Sequence, residues 1–195
     1  MPSYSEMIER LATLGHRPGA LAEECIAKAY SVLLTDGSNA VDGGASVGRH
    51  TLGMSLSVGP TGTVFAFEPI AEVVVRLLRK IKKAETNNVL CFPYALSDKV
   101  DVVDFNVCKN VTQLSGLKAR ETWPSHVEPE LETRRVVTVR LDGIIPASKK
   151  IDFIKLDLEG AEFPAMRGAR DLLVRDRPLI VFENGRKRAA DAYGY

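Results

Sequence analysis

Short apolar runs that end in a carboxylate recur along the chain and constrain its fold more than any other feature. The run TVFAFE (63–68) carries no charge before its last residue, and IDFIKLD (151–157) and PLIVFE (178–183) also end in an acid. Such runs are typical of strands buried on both faces of a parallel sheet. Helical patterns lie between them, so the sequence predicts an α/β fold with mostly parallel strands and right-handed crossovers.

The predicted elements follow this alternation. We expect helices over 4–14, 20–34, 47–57, 71–85 and 160–174, and strands over 38–42, 63–68, 88–96, 151–157 and 178–183. Pro93 predicts that the third strand ends early or lies on an edge. Two alternating segments, 100–107 and 134–141, predict an inserted antiparallel hairpin, with the polar stretch 109–133 between them as a loop or flap.

Composition limits the function classes. The 195 residues fit one domain, which we divide into an N-terminal helical segment (1–37) and a main domain (38–195). A net charge of +1 gives no footprint for nucleic acid or an anionic membrane, and the basic helix 71–85 is expected to be a solvated face. The N-terminus lacks the apolar region of a signal peptide, and no run is long enough to span a membrane. Three scattered cysteines indicate a reduced, cytoplasmic protein, and no Cys/His cluster has zinc spacing.

Carboxylates stand at four predicted strand ends. They are Asp42, Glu68, Asp157 and Glu183. In open α/β sheets, ligands bind outside the carboxyl ends of the strands. We therefore expect these residues to mark a binding site.

The glycine-rich stretch VDGGASVGRHT follows the first predicted strand and suits a loop that approaches a ligand closely. GGASVG is one residue away from the dinucleotide fingerprint, and Glu68 lies where a ribose-binding acid is expected. An NAD-dependent oxidoreductase is therefore an alternative. Asp42 would repel a pyrophosphate, whereas it suits the ammonium and sulfonium groups of S-adenosylmethionine. The alternative structural role for Asp42 is to cap or order the loop.

Several ordered motifs resemble the FkbM-type family of class I, S-adenosylmethionine-dependent methyltransferases. The resemblance rests on VDGGASVGRHTLGMSLSVGPTGTVFAFEP, YALSD, RLDGII, IDFIKLDLEGAEFPAMRGARDLL and RPLIVFE. It covers about residues 38–183 and implies a Rossmann-like methyltransferase sheet with helices on both faces. It also implies an S-adenosylmethionine cofactor with S-adenosylhomocysteine as product. Gly43 and Ser46 depart from the family's usual valine and asparagine.

The resemblance also implies roles for individual residues. Glu68 would bind the ribose hydroxyls, and Asp157 would lie near the transferable methyl group. The loop residues that would hold the methionine part of the cofactor are Asp42, Gly44, Ala45, Ser46 and Gly48. The residues that would line the adenine edge are Ala95, Leu96 and Ser97.

Methyl transfer to a hydroxyl of a sugar, polyketide or similar metabolite requires a general base. Asp157 and Glu159 are the main candidates, and His50 is a third whose ordinary pKa suits the task. The structural alternatives are a packing role for His50 and helix-dipole pairing for Glu159 and Glu162. Lys155, unusual within a buried run, is expected to pair with an acid or to reach a sheet face.

The acceptor pocket is expected within 109–133, where Trp123 is either a stacking wall or an anchor to the core. The sequence after 183 is too short for the last two strands of the family fold. We therefore expect either a truncated chain or self-association through the exposed edge of the fifth strand. A non-catalytic cofactor-binding module is the remaining alternative.

Overall fold

A computed structural model describes residues 18–118, 123 and 127–183 of the chain. The helices are α1 (Pro18–Leu33), α2 (Arg49–Val58), α3 (Ala71–Lys83), α4 (Leu141–Ile144), α5 (Glu162–Arg167) and α6 (Arg170–Asp176). The strands are β1 (Asn39–Gly43), β2 (Thr63–Phe67), β3 (Val89–Phe92), β4 (Ala95–Leu96), β5 (Asp101–Cys108), β6 (Leu131–Val139), β7 (Phe153–Leu156) and β8 (Leu179–Phe182). The predicted helix 4–14 lies outside the described residues.

Five strands form a fully parallel sheet in the order β3-β2-β1-β7-β8. β1 is central, and the direction of the strand order reverses beside it, between β1 and β7. Asp42 is in register with Ala66 on one side and Lys155 on the other. The mostly parallel α/β sheet predicted from the sequence is confirmed, and its switch point lies where ligands bind in such folds.

A smaller sheet packs beside the first and contains the predicted hairpin. Its order is β4-β6-β5, with β5 and β6 antiparallel from Asp101↔Thr138 to Cys108↔Leu131 and β4 parallel to β6. The predicted third strand, 88–96, is therefore two strands in two different sheets. Pro93 lies between them, where it cannot supply a ladder hydrogen bond, which explains why the strand ends early.

Helices cover both faces of the parallel sheet. On one face Tyr30 of α1 and Met54 of α2 pack on Val64 and Phe153, and Leu77 of α3 packs on Ala66. The largest core cluster lies on the other face, where Phe65, Phe67, Ile154 and Leu156 pack against Leu141, Ala165, Ala169 and Leu172 from α4, α5 and α6. Alternation along the strands produces this division, because successive side chains point to opposite faces.

The predicted helix 160–174 is wrong in its continuity, because the structure has two helices, α5 and α6, in its place. The chain between them passes close to the backbone after β4. A Cβ atom at Gly168 would lie 2.0 Å from the Ser97 carbonyl oxygen, so the break occurs where two backbones approach closely. Helix α4 is also not among the predicted helices. It begins at Leu141, the last residue of the predicted strand 134–141.

β8 forms an edge of the described sheet, and its Leu179 and Phe182 side chains are partly exposed. Residues 184–195 lie outside the described residues, as does any continuation of the sheet through them. The missing last strands, self-association through this edge and the division at residue 38 stay predictions. Within the described ranges, no helix has the length and apolar character needed to cross a membrane.

Candidate active site

A cleft opens at the carboxyl ends of β1, β2 and β7. It holds about 670 Å³ of space free of atoms, part of it open to solvent. Seven of the predicted site residues line it: Gly44, Ser46, Glu68, Ala95, Leu96, Asp157 and Glu159.

Gly44 turns the chain from β1 toward α2 at the floor of the cleft. Its φ of +72° lies in the left-handed region, and a Cβ atom there would meet the Asp157 carbonyl oxygen at 2.0 Å. Both conditions require glycine. The backbone N–H groups of Gly44 and Ala45 donate to the Phe67 carbonyl at 3.0 and 2.9 Å, which ties the loop to the end of β2.

Glu68 follows β2 and is held by two backbone donors. The Ser46 N–H donates to Oε2 and the Ile70 N–H donates to Oε1, each at 3.0 Å. Burial raises the pKa of Glu68 from 4.5 to about 7, although both donors favour the ionised carboxylate. The carboxylate is therefore fixed in orientation at the cleft wall, with lone pairs left to accept from a ligand.

A tight turn after β7 carries Asp157 and Glu159. Glu159 has a left-handed φ of 53°, and Glu162 closes the turn by accepting hydrogen bonds from the N–H groups of Leu158 (2.7 Å) and Gly160 (3.3 Å). Glu162 is buried, and burial raises the pKa of its carboxyl group. The turn thus presents two carboxylates to the cleft while a third holds its backbone.

Asp42 and Lys155 lie beneath the floor of the cleft, side by side on adjacent strands. Thr51 Oγ1 donates to Asp42 Oδ2 at 2.6 Å, and the Lys155 ammonium lies 3.3 Å from Asp42 Oδ1. Oδ1 receives no well-directed hydrogen bond from the described residues, so this second contact is electrostatic. Asp42 is fully buried and does not line the cleft, so its direct contact with a ligand stays a prediction.

Glu183, which follows β8, brings a third acid close to the turn. One carboxylate oxygen from each of Asp157, Glu159 and Glu183 lies within 4.8 Å of the other two. The Lys155 ammonium is 3.7 Å from Asp157 Oδ2 and supplies positive charge at this position.

Besides Asp42, four predicted site residues do not line the cleft. Ala45 and Gly48 belong to the loop but face α3, where both lie close to Leu77. Ser97 is buried, and its hydroxyl group donates to Asp98 Oδ1 at 3.4 Å. His50 is buried against α1 instead, with Nε2 2.8 Å from Glu23 Oε2 and its ring edge-on to Tyr30. These contacts match the packing role considered for His50.

The connection between β3 and β4, the hairpin and the loop between its strands also supply walls of the cleft, which the sequence motifs do not predict residue by residue. Tyr94, Phe105, Thr112, Gln113, Ser115 and Leu117 line the cleft. Thr112 to Leu117 fall within the stretch expected to hold the acceptor. The isolated bridge between Asn106 and Gly116 holds that stretch against β5. Trp123 is not among the lining residues.

The side chains around the cleft fit S-adenosylmethionine. A fixed carboxylate at Glu68 can accept from two vicinal ribose hydroxyls, and Ile70, Leu96 and Tyr94 offer apolar surface to an adenine ring. The loop at Gly44 allows close backbone approach, and Asp157 provides negative charge for a cationic group.

Three solved structures resemble this fold at low identity. An rRNA methylase from Streptococcus thermophilus is 13% identical over 91% of this chain and 76% of that chain (TM-score 0.48). A SAM-dependent methyltransferase from Aquifex aeolicus is 15% identical over the same shares (TM-score 0.45). A Streptococcus mutans protein, SMU.1697c, solved with S-adenosylhomocysteine, is 20% identical over 41% of this chain (TM-score 0.33), and the match spans 42% of that chain. A search of curated proteins gives no match.

The family assignment comes from the sequence. A family model described as the methyltransferase FkbM domain matches residues 42–191, which is more than half of the chain. The match runs through the glycine loop, the acid after β2 and the turn after β7. The chain therefore belongs to the FkbM methyltransferase family, as its motifs predict.

Proposed function

We propose that this protein transfers a methyl group to a hydroxyl of a sugar, polyketide or similar small metabolite. The observation that carries the proposal is the meeting of Glu68, Asp157 and Glu159 in one cleft with the Gly44 turn. Glu68 suits a cofactor-holding role because two backbone donors orient it. Asp157 and Glu159 suit a proton-accepting role because they follow β7, on the other side of β1 from Glu68, and line the cleft together with the polar residues Thr112, Gln113 and Ser115.

When bound, S-adenosylmethionine supplies an activated methyl group on a sulfonium. The protein has to orient the acceptor, exclude water and receive one proton from the attacking hydroxyl. Asp157 or Glu159 accepts that proton at a carboxylate oxygen, and the turn closed by Glu162 holds both carboxylates in place. The hairpin wall of Phe105 and Leu117 limits the access of water.

Calorimetric titration tests the cofactor half of the proposal. S-adenosylmethionine and S-adenosylhomocysteine should both bind, and NAD should give no heat. The absence of heat with both sulfur compounds, in protein shown to be folded by circular dichroism, would refute it. Glu68→Ala should weaken both sulfur ligands, whereas Glu24→Ala, on the exposed side of α1, should leave binding unchanged.

Turnover on a panel of hydroxylated metabolites tests the acceptor half. Mass spectrometry should detect a methylated product, and S-adenosylhomocysteine should accumulate in equal amount. Amine-bearing analogues of each active hydroxyl compound separate O- from N-methylation. Tight cofactor binding with no turnover on the panel would favour the non-catalytic module instead.

A further inference from the structure

Lys155 is a charged residue in the core of the parallel sheet. It occupies β7 among Phe153, Ile154 and Leu156, all of which are buried, and its own exposure is 3%. An unpaired ammonium at such depth costs several kcal/mol, so the position requires compensation by negative charge.

Three acceptors surround the Lys155 ammonium. It donates to the Gly44 carbonyl at 3.2 Å, lies 3.3 Å from Asp42 Oδ1 and lies 3.7 Å from Asp157 Oδ2. Burial lowers the pKa of Lys155, but the charges of Asp42 and Asp157 outweigh it and the pKa is raised, so the ammonium stays charged. Glu68 and Glu23 are the other acids within its electrostatic range.

Two of these three partners form the floor of the cleft. Gly44 and Asp157 both line it, whereas Lys155 lies below them and does not. We propose that Lys155 is a positioning residue whose ammonium holds this floor in place and sets its charge, and so controls how the site distinguishes the sulfonium cofactor from its thioether product. The inference rests on the proposed function, since it requires that both compounds bind in this cleft.

The charge count gives the direction of the effect. Asp42, Asp157 and Lys155 together carry one net negative charge when all three are ionised. As long as Asp42 stays ionised, removing Lys155 leaves two negative charges, which favours a cation over an uncharged sulfur in the cleft. Removing Asp42 leaves none, which disfavours the cation. A purely structural role would weaken both ligands by the same factor.

The test is a comparison of dissociation constants measured by calorimetry at low salt. In Lys155→Met both ligands should bind more weakly, but the ratio of the S-adenosylhomocysteine to the S-adenosylmethionine constant should rise about tenfold. That size corresponds to a unit charge several ångströms away at an effective dielectric constant of about 20, partly screened by solvent. In Asp42→Asn the ratio should fall, and in the double variant it should return to the wild-type value, because one charge of each sign is removed.

Lys150→Met is the matched control, because Lys150 is an exposed cation just before β7, paired with Asp152, and its loss should leave the ratio unchanged. The comparison of Asp42→Asn with the double variant isolates the charge of Lys155, because it does not depend on the ionisation of residue 42. A ratio that stays within about twofold in this comparison would overturn the proposal. If Lys155→Met does not fold, an unchanged or increased ratio in Asp42→Asn overturns it equally. A wild-type protein that binds neither compound would refute the proposed function instead, so the two failures are distinguishable.

Discussion

Glu68 should make the stability of this protein depend on pH in a direction opposite to that of most carboxylates. Its folded-state pKa of about 7 lies above the ordinary value of 4.5, with burial as the largest cause. Between these two values the native state holds a proton that the unfolded chain has released. Stability from this group is therefore present at low pH and is lost as pH rises through about 7.

The magnitude follows from the shift. Each pKa unit corresponds to about 1.4 kcal/mol, so the difference between 4.5 and about 7 amounts to roughly 3 kcal/mol of unfolding free energy. Glu68→Gln removes the titration but keeps the size of the side chain. Its amide nitrogen would face one of the two backbone donors, from Ser46 or Ile70, which lowers stability by an amount that does not depend on pH.

Urea unfolding of wild type and Glu68→Gln at about pH 5 and about pH 8 measures the effect. The stability of the variant relative to wild type should improve by roughly 2.5 kcal/mol between the two pH values, because the unfolded carboxyl group is already mostly ionised at the lower one. Glu24→Gln, an exposed glutamate on α1, is the control and should follow wild type at both. Parallel stability profiles for Glu68→Gln and wild type would show that folding does not raise the pKa of Glu68, and the reasoning from burial would be refuted.

Three further predictions concern the site. Gly44→Ala should abolish cofactor binding in calorimetry and lower the unfolding free energy by more than about 1 kcal/mol, since its Cβ would meet the Asp157 carbonyl. Gly143→Ala is the control and should change neither quantity, because a Cβ atom at Gly143 would meet no atom within 4 Å. Asp157→Asn or Glu159→Gln should abolish turnover while the cofactor still binds, and intact turnover in both would exclude these acids as the base. His50→Gln should lower the melting temperature by about 2–4 °C through its contacts with α1 and keep kcat within about twofold; lost turnover at an unchanged melting temperature would make His50 catalytic.

Much of the sheet could be predicted from the sequence, because buried strands have a strong local pattern. The runs 63–68 and 178–183 match strands Thr63–Phe67 and Leu179–Phe182 to within one residue at each end. The hairpin was predictable for the same reason, since alternation reports a half-buried strand. The split of the predicted helix 160–174 was not, because it depends on the approach of Gly168 to Ser97, which are far apart in the sequence.

The residue types of the site could be predicted from the sequence, but the burial of each side chain could not. Acids after β2 and β7 were expected at the cleft because parallel strands end at one sheet edge, and Glu68 and Asp157 lie there. In the sequence His50 is an equally suitable candidate for a general base, yet the packing of α1 over α2 buries it away from the cleft. Periodicity places a residue on a helix, but only the neighbouring helix determines which face is covered.

The burial of Asp42 changes what its negative charge does in the site. The sequence favours a cationic ligand because a carboxylate precedes the glycines, but that carboxylate is fully buried with Lys155 and Thr51 as its partners. Asp157 is one of the acids that line the cleft, and it is linked to Asp42 through the same ammonium. A lysine within a buried strand needs a carboxylate nearby, and the order of the strands places Asp42 in register with it. Once the fold is known, the two residues that look anomalous separately are each explained by the other.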